Sequence, residues 1–248
     1  MPPRFAALTA LLLTASPLAS SGAQPRGGDG YLFRRPQATL SFRLGAARPD
    51  ASSDVFSFVS RQLTVDRGDF LGLSGMADLS IALAGPMELQ LSAGISDRQV
   101  GSEYRDFIDN DDRPIEQRTQ FRRVPLTAGL KWNLRPAGRT VSRYAWVPTR
   151  LVPYVAAGGG LMHYRFGQSG DFVDFRTNDV FGETLRSSGW TGTVYAAAGA
   201  TWSLNPTVGL TSELRYDRAR ATLGRDFEGF DPIALSGVGL TAGLLFRF

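Results

Sequence analysis

The sequence reads as an all-β chain: an eight-stranded antiparallel transmembrane up-and-down β-barrel with short periplasmic turns and long extracellular loops. Three observations carry this expectation. The chain ends in Leu240-Thr241-Ala242-Gly243-Leu244-Leu245-Phe246-Arg247-Phe248, with Leu240, Ala242, Leu244, Phe246 and Phe248 on one face and Thr241, Gly243 and Arg247 on the other. Six of the seven earlier segments repeat the same period-two alternation, which places successive side chains on opposite faces of a strand. The connections between these segments alternate between short and long, the asymmetry of membrane barrels.

The N-terminus is consistent with export. Arg4 is followed by an apolar run from Phe5 to Leu13 and by the small residues Ser21-Gly22-Ala23. Residues 1–23 are expected to be a secretory signal peptide. A membrane-spanning helix needs about 20 apolar residues, and Pro17 interrupts this run early. Residues 24–36 are expected to form an N-terminal periplasmic segment, and 37–248 the barrel. The absence of cysteine excludes a lipoprotein anchor, a disulfide framework and thiol catalysis. The net charge is +4, and Lys131 is the only lysine. A basic exported chain is expected to meet outer-membrane lipid and lipopolysaccharide phosphates, not nucleic acid.

The first expected strand is Gln37–Ala47, with Ala38, Leu40, Phe42, Leu44 and Ala46 facing lipid. The second is Phe70–Ala84, with Leu71, Leu73, Ala77, Leu79, Ile81 and Leu83 outward, and Gly85-Pro86 turns the chain. The third, Met87–Val100, puts Met87, Leu89, Leu91, Ala93 and Ile95 outward and Glu88, Gln90, Ser92 and Ser96 inward. The fourth, Phe121–Leu134, puts Val124, Leu126, Ala128, Leu130, Trp132 and Leu134 outward and Thr127, Lys131 and Asn133 inward. The fifth, Leu151–Phe166, is rich in glycine and alanine, and its facing is ambiguous. The sixth is Trp190–Leu204, with alternate residues from Trp190 to Leu204 outward, and Asn205-Pro206 turns the chain. The seventh is Thr207–Ala219, and the eighth runs from Ile233 to Phe248.

The long connections are 48–69, 101–120, 167–189 and 220–232; the connection at 135–150 is of intermediate length and carries Pro136, Gly138 and Pro148. A soluble eight-stranded barrel of the lipocalin kind would have an apolar lumen. Here the faces opposite the apolar ones carry Arg43, Asp78, Glu88, Lys131, Glu213, Arg215 and Arg247. Charges cannot line a dry cavity cheaply, whereas paired charges can fill a narrow lumen.

With the alternating segments, the loop asymmetry and the terminal Phe248 in hand, the chain resembles the small eight-stranded outer-membrane proteins of the OmpA-barrel, OmpX and OmpW kind. The stretch Pro153-Tyr154-Val155-Ala156-Ala157-Gly158-Gly159-Gly160 resembles the fifth-strand region of OmpW-like barrels. The resemblance implies the outer membrane, a monomer, and recognition of Leu240, Leu244, Phe246 and Phe248 by the barrel-assembly machinery during insertion. Full-length OmpA carries a further periplasmic domain that this sequence does not include. Two function classes follow, with a lipid A-modifying barrel enzyme as a third. One is a structural or surface-interaction protein that serves envelope integrity or loop-mediated contacts. The other is an OmpW-like conduit for small hydrophobic molecules with sideways exit through a break in the wall, sought at Pro153 or Gly158–Gly160.

Five features bear on chemistry. The lumen charges are expected to form a plug of ion pairs, since unpaired charges there would be costly. Asp-Phe recurs at 69–70, 106–107, 171–172, 174–175 and 226–227; a loop cap built on Phe70, Phe107, Phe172, Phe175 and Phe227 is expected. Val55, Phe56, Val59 and Leu63 recur at helical spacing behind Asp54, a candidate N-cap, so a short helix either lids the mouth, lies on the membrane or forms a local loop core. The single histidine, His163, belongs to the fifth strand. Some eight-stranded barrels are lipid A deacylases or acyltransferases using a His with a Ser, but Tyr164-Arg165 follows here and an orienting acid would also be needed. No catalytic residue is assigned. Asp109-Asn110-Asp111-Asp112 fails the EF-hand pattern at Arg113 and Pro114, and no metal or cofactor is expected.

Overall fold

A computed structural model describes residues 30–108, 113–142, 144–173 and 180–248. The expected signal peptide, the acidic run 109–112 and Phe175 fall outside the described residues.

In chain order the strands are β1 (Ala38–Pro49), β2 (Gly72–Ala82), β3 (Met87–Ile108), β4 (Pro114–Asn133), β5 (Gly138–Ser142), β6 (Ala145–Pro148), β7 (Leu151–Val173), β8 (Val180–Ser203), β9 (Val208–Ala221), β10 (Ile233–Ala234) and β11 (Gly237–Arg247). Eight of them close a ring in the order β11-β1-β2-β3-β4-β7-β8-β9, with β9 returning to β11. Closure between the first and last strands runs from Thr39↔Arg247 to Pro49↔Gly237. A closed ring leaves no sheet edge, which is the condition for β structure to cross a bilayer.

The facing follows the alternation. Leu44, Leu73, Leu130, Trp132, Leu161, Val194, Leu214 and Leu240 are exposed on the outer surface, while Arg43, Asp78 and Glu213 are buried inside. On β8 the outward Trp190 and Trp202 are twelve residues apart, roughly 40 Å along the strand at about 3.3 Å per residue. With the usual tilt this spans the ~25 Å apolar band and its two aromatic girdles. Leu245 is the exception on its strand, an apolar side chain buried inward.

Three expectations are corrected. First, the described parts of the connections expected at 101–120 and 167–189 are strand, not loop. They complete β3, β4, β7 and β8, which are 22, 20, 23 and 24 residues long, whereas a membrane strand needs about 9–11. The extra length rises beyond the bilayer as two hairpins whose outward residues are polar, so the lipid-facing signal disappears although the backbone ladder continues. Second, the last strand begins at Gly237: Ile233–Ala234 pairs separately with β9, and the buried Leu235 turns into the mouth. Third, the 135–150 connection folds into the β5–β6 hairpin, and Leu32 of the N-terminal segment bridges to Trp146 across it by two backbone hydrogen bonds of 2.9 and 2.8 Å.

The connections β1–β2 and β9–β11 do not rise; they fold inward. The first contains α1 (Asp54–Gln62) and a 3-10 turn at Arg67–Phe70, the second a 3-10 turn at Arg225–Phe227. The N-cap is Ser53, not Asp54. Asp54 starts the helix, and its carboxylate accepts from the backbone N–H of Asp231 at 2.9 Å, tying the two connections together.

Candidate functional site

The lumen is filled in layers. Nearest the periplasm, Arg247 donates to Ser203 Oγ at 2.7 Å and to the carbonyl oxygens of Asn205 and Pro206 at 3.4 Å. Lys131 pairs with Glu88 at 3.0 Å, Asn133 donates to the same carboxylate at 2.6 Å, and the ammonium lies 4.6 Å from the Tyr154 ring centre.

The centre is Arg43. Its guanidinium meets Asp78 at 2.8 Å and Glu213 at 2.7 Å, with both side chains almost fully buried. Tyr154 accepts from Arg43 at 3.1 Å and donates to Glu213 at 3.0 Å. Asp78 receives further hydrogen bonds from Ser41, Gln90 and Ser92 at 3.0, 3.1 and 2.7 Å. Removed from water, each carboxylate oxygen needs several donors; β2 and β9 bring the carboxylates, and residues of β1, β3 and β7 supply the donors.

Above this, Arg215 stacks on Tyr195 at 3.7 Å, donates to Asp217 at 3.0 Å and to Thr127 Oγ1 at 3.1 Å. Arg123 donates to Ser96 Oγ at 3.2 Å and to the carbonyl of Leu235 at 2.8 Å, so it joins the charged interior to the cap. A void of about 30 Å³ lies beside Arg123, Arg215 and Asp217, room for roughly one or two waters.

These large side chains fit because inward positions on facing strands are glycine. A Cβ at Gly199 would stand 2.5 Å from the Tyr154 ring and 2.4 Å from the Ser212 carbonyl oxygen; one at Gly129 would stand 2.5 Å from the Tyr195 hydroxyl. Gly199→Ala is expected to overpack the Arg43 layer and cost about 1–3 kcal/mol. The urea midpoint of the vesicle-inserted barrel measures this; an unchanged midpoint would show that both Tyr154 and the strand backbone at Ser212 can give way.

The mouth is apolar. Phe56, on the inner face of α1, is fully buried and meets Phe70, Phe121 and Phe166 edge-to-face with ring centres 5.1, 5.3 and 5.5 Å away. Phe227 joins through Phe166 at 5.2 Å, and Val55, Val59, Leu63, Met162, Tyr164, Ile233 and Leu235 are among the other members of the cluster. Leu63 bridges to Tyr104 on the β3 extension, and Tyr164 donates to the Thr222 carbonyl at 2.7 Å. Tyr104 lies outside the span; burial pushes its phenol pKa up, opposed by hydrogen bonds from Val173 and Gln117. Of the placements open to α1, the helix occupies the mouth.

The Asp-Phe pairs divide. Phe70 and Phe227 are in the cap, and their aspartates brace it: Asp69 accepts from the Asp66 N–H at 2.8 Å and Asp226 from the Arg186 N–H at 2.8 Å. Phe107 and Phe172 are not in it. They sit on the raised hairpins, Phe107 against Tyr104 at 6.1 Å and Phe172 stacked on Phe181 at 6.2 Å. Their places are taken by Phe56, Phe121 and Phe166. The charged set likewise gains Arg123 and Asp217. Both face inward by the alternation of β4 and β9, at the edge of the apolar band where the contrast between the faces fades.

The fifth-strand facing is settled by Tyr154, Ala156, Met162, Tyr164 and Phe166, all buried inward. The wall is unbroken there: β7 pairs residue by residue with β4 from Asn133↔Tyr154 to Gln117↔Gly170 and with β8 over its full length. Gly158 faces Gly129 and Gly160 faces Thr127 inside the ladder, so neither the glycines nor Pro153 opens a sideways exit. His163 points outward and packs against Trp190 with ring centres 5.0 Å apart.

No protein-family model matches the chain, and neither does any curated protein. Solved structures with a similar architecture include Neisserial surface protein A (12% identity, 85% of this chain and 96% of that one, TM-score 0.45). A major outer membrane protein from Thermus thermophilus is similar too (10% identity, 87% and 100%, TM-score 0.45). So is the outer membrane protease OmpT from Escherichia coli (11% identity, 88% and 98%, TM-score 0.38). At these values the likeness is one of architecture alone. A closed eight-stranded ring with an apolar outer band and charged interior is an outer-membrane β-barrel.

Proposed function

We propose that this barrel is a closed, non-enzymatic outer-membrane protein whose role is structural or lies in surface contacts made by its raised hairpins and cap. The observation that carries this reading is the double seal: a charged plug centred on Arg43, and above it an aromatic cap in which Phe56 fills the mouth. Each layer is expected to block a hydrated ion or small solute by itself. The outer-membrane lipid is the expected immediate partner, the barrel-assembly machinery the partner during insertion, and the monomer the expected state.

One observation favours a second reading. The wall of the mouth is apolar (Phe121, Met162, Phe166), so a small hydrophobic molecule could be received there if α1 lifted, although a conduit would also need the paired wall beneath to open. The two readings give opposite signs in one assay. Entry of a hydrophobic fluorescent dye into cells is expected to rise when the protein is deleted and to return on complementation. A fall in dye entry on deletion would identify a conduit and contradict the structural role.

A further inference from the structure

We propose that the outer face of the β4–β7–β8 wall is a binding site for the phosphate groups of a phosphorylated glycolipid in the outer leaflet. This rests on the reading above that the raised hairpins lie outside the membrane.

The register builds the site. Arg118 is opposite Ser169 and Thr184, Gln120 is opposite Gly167 and Arg186, and Arg122 is opposite Arg165 and Ser188. These nine residues form three rows of three on one surface, all facing away from the lumen. The central position is Gly167, which has no side chain, so the grid has a hollow floor. A hollow of about 330 Å³ is lined by Arg118, Gln120, Arg165, Gly167 and Arg186. Hydroxyl and amide groups at Gln99, Thr184 and Ser188 complete its rim. Guanidinium groups and hydroxyls are the donors that phosphate oxygens take.

The arginines are available. Arg118, Arg165 and Arg186 are exposed, and their guanidinium groups make no hydrogen bond or ion pair among the described residues. Arg122 is the exception, held by Asp97 through Nε at 3.0 Å. Glu116 and Asp171 lie further out on their strands, so the basic strip is bounded on that side and confined to the rows nearest the membrane.

The height of the strip selects the occupant. The next row inward is Val124, His163 and Trp190, and the row after it contains Leu126 and Leu161. Trp190 is an outer girdle residue. The strip therefore stands one row above the apolar band, at headgroup level, where a lipid whose acyl chains lie against Leu126 and Leu161 would carry its phosphates. A soluble anion would gain nothing from the apolar row beneath.

The test uses the full-length refolded protein in phosphatidylcholine vesicles doped with equal amounts of bisphosphorylated lipid A and its dephosphorylated counterpart. Polymer-excised discs are collected and their lipid A content is measured by mass spectrometry. Wild type is expected to enrich the phosphorylated form by about tenfold, R165Q/R186Q to lose that enrichment, and R135Q/R139Q at the periplasmic end to keep it. Equal enrichment by R165Q/R186Q and wild type would overturn the site. So would a folded wild-type barrel with no preference. Should R165Q/R186Q not fold, wild type is read in about 1 M NaCl, where the Debye length falls to about 3 Å: lost enrichment sustains the site and unchanged enrichment overturns it. Failure of wild type to fold as a heat-modifiable barrel would instead strike at the outer-membrane reading.

Discussion

Arg43→Met is expected to destabilise the barrel by about 3–5 kcal/mol, the cost of removing one partner from a buried ion cluster. The substitution keeps an unbranched side chain in the layer, so the loss is mainly electrostatic. Asp78 and Glu213 both contact the same guanidinium. Without it two carboxylates face each other with only neutral donors between them. The loss is largest if both stay ionised and smaller if one takes up a proton. Adding Asp78→Asn and Glu213→Gln to Arg43→Met removes the uncompensated charge and is expected to recover most of the stability. Urea unfolding of the vesicle-inserted protein, followed by the heat-modifiable band, measures both variants. A single variant as stable as wild type would mean that the Arg43 layer contributes no net stability.

Phe56→Ala is expected to have a comparable effect confined to the mouth. The side chain is fully buried among three other rings, and truncating such a residue costs about 3–5 kcal/mol. The ring of strands does not depend on it, so the barrel is expected to fold while α1 loses its anchor. Limited trypsin digestion reads this directly at Arg61 and Arg67, at and just beyond the helix end. The variant is expected to be cut there at least about tenfold faster than wild type, with the barrel fragment surviving. Equal cutting rates would place the anchoring energy in the polar ties, such as that between Asp54 and Asp231, instead of in the aromatic cluster.

Much of this architecture is legible in the chain because a membrane barrel reports itself by a local period. One residue decides facing for its whole strand, and Leu44, Leu130 or Leu244 can be assigned without knowing any partner. The period fails where the outward face stops being apolar. Thus Arg118, Gln120 and Arg186 look like loop residues although their backbone is as regularly paired as that of Leu126. It also fails where side chains are missing: Gly158, Gly159 and Gly160 give no contrast between faces, and it is Tyr154 and Tyr164 on either side that settle β7. Height is a different quantity from facing. Arg43 and Glu213 are 170 positions apart, and only the closed register brings them to one level. The cap shows the same limit, since Phe121 and Phe166 are wall residues whose role depends on the loop that folds onto them.

Single-channel recording of the refolded full-length barrel in planar bilayers bears most directly on the double seal. Wild type is expected to be silent, and Phe56→Ala is expected to remain silent as well, because the Arg43 layer stands intact beneath the opened mouth. Discrete openings in wild type whose conductance changes with Arg43 or Glu213 substitutions would show that the lumen is a pathway and that its charges conduct instead of plugging it.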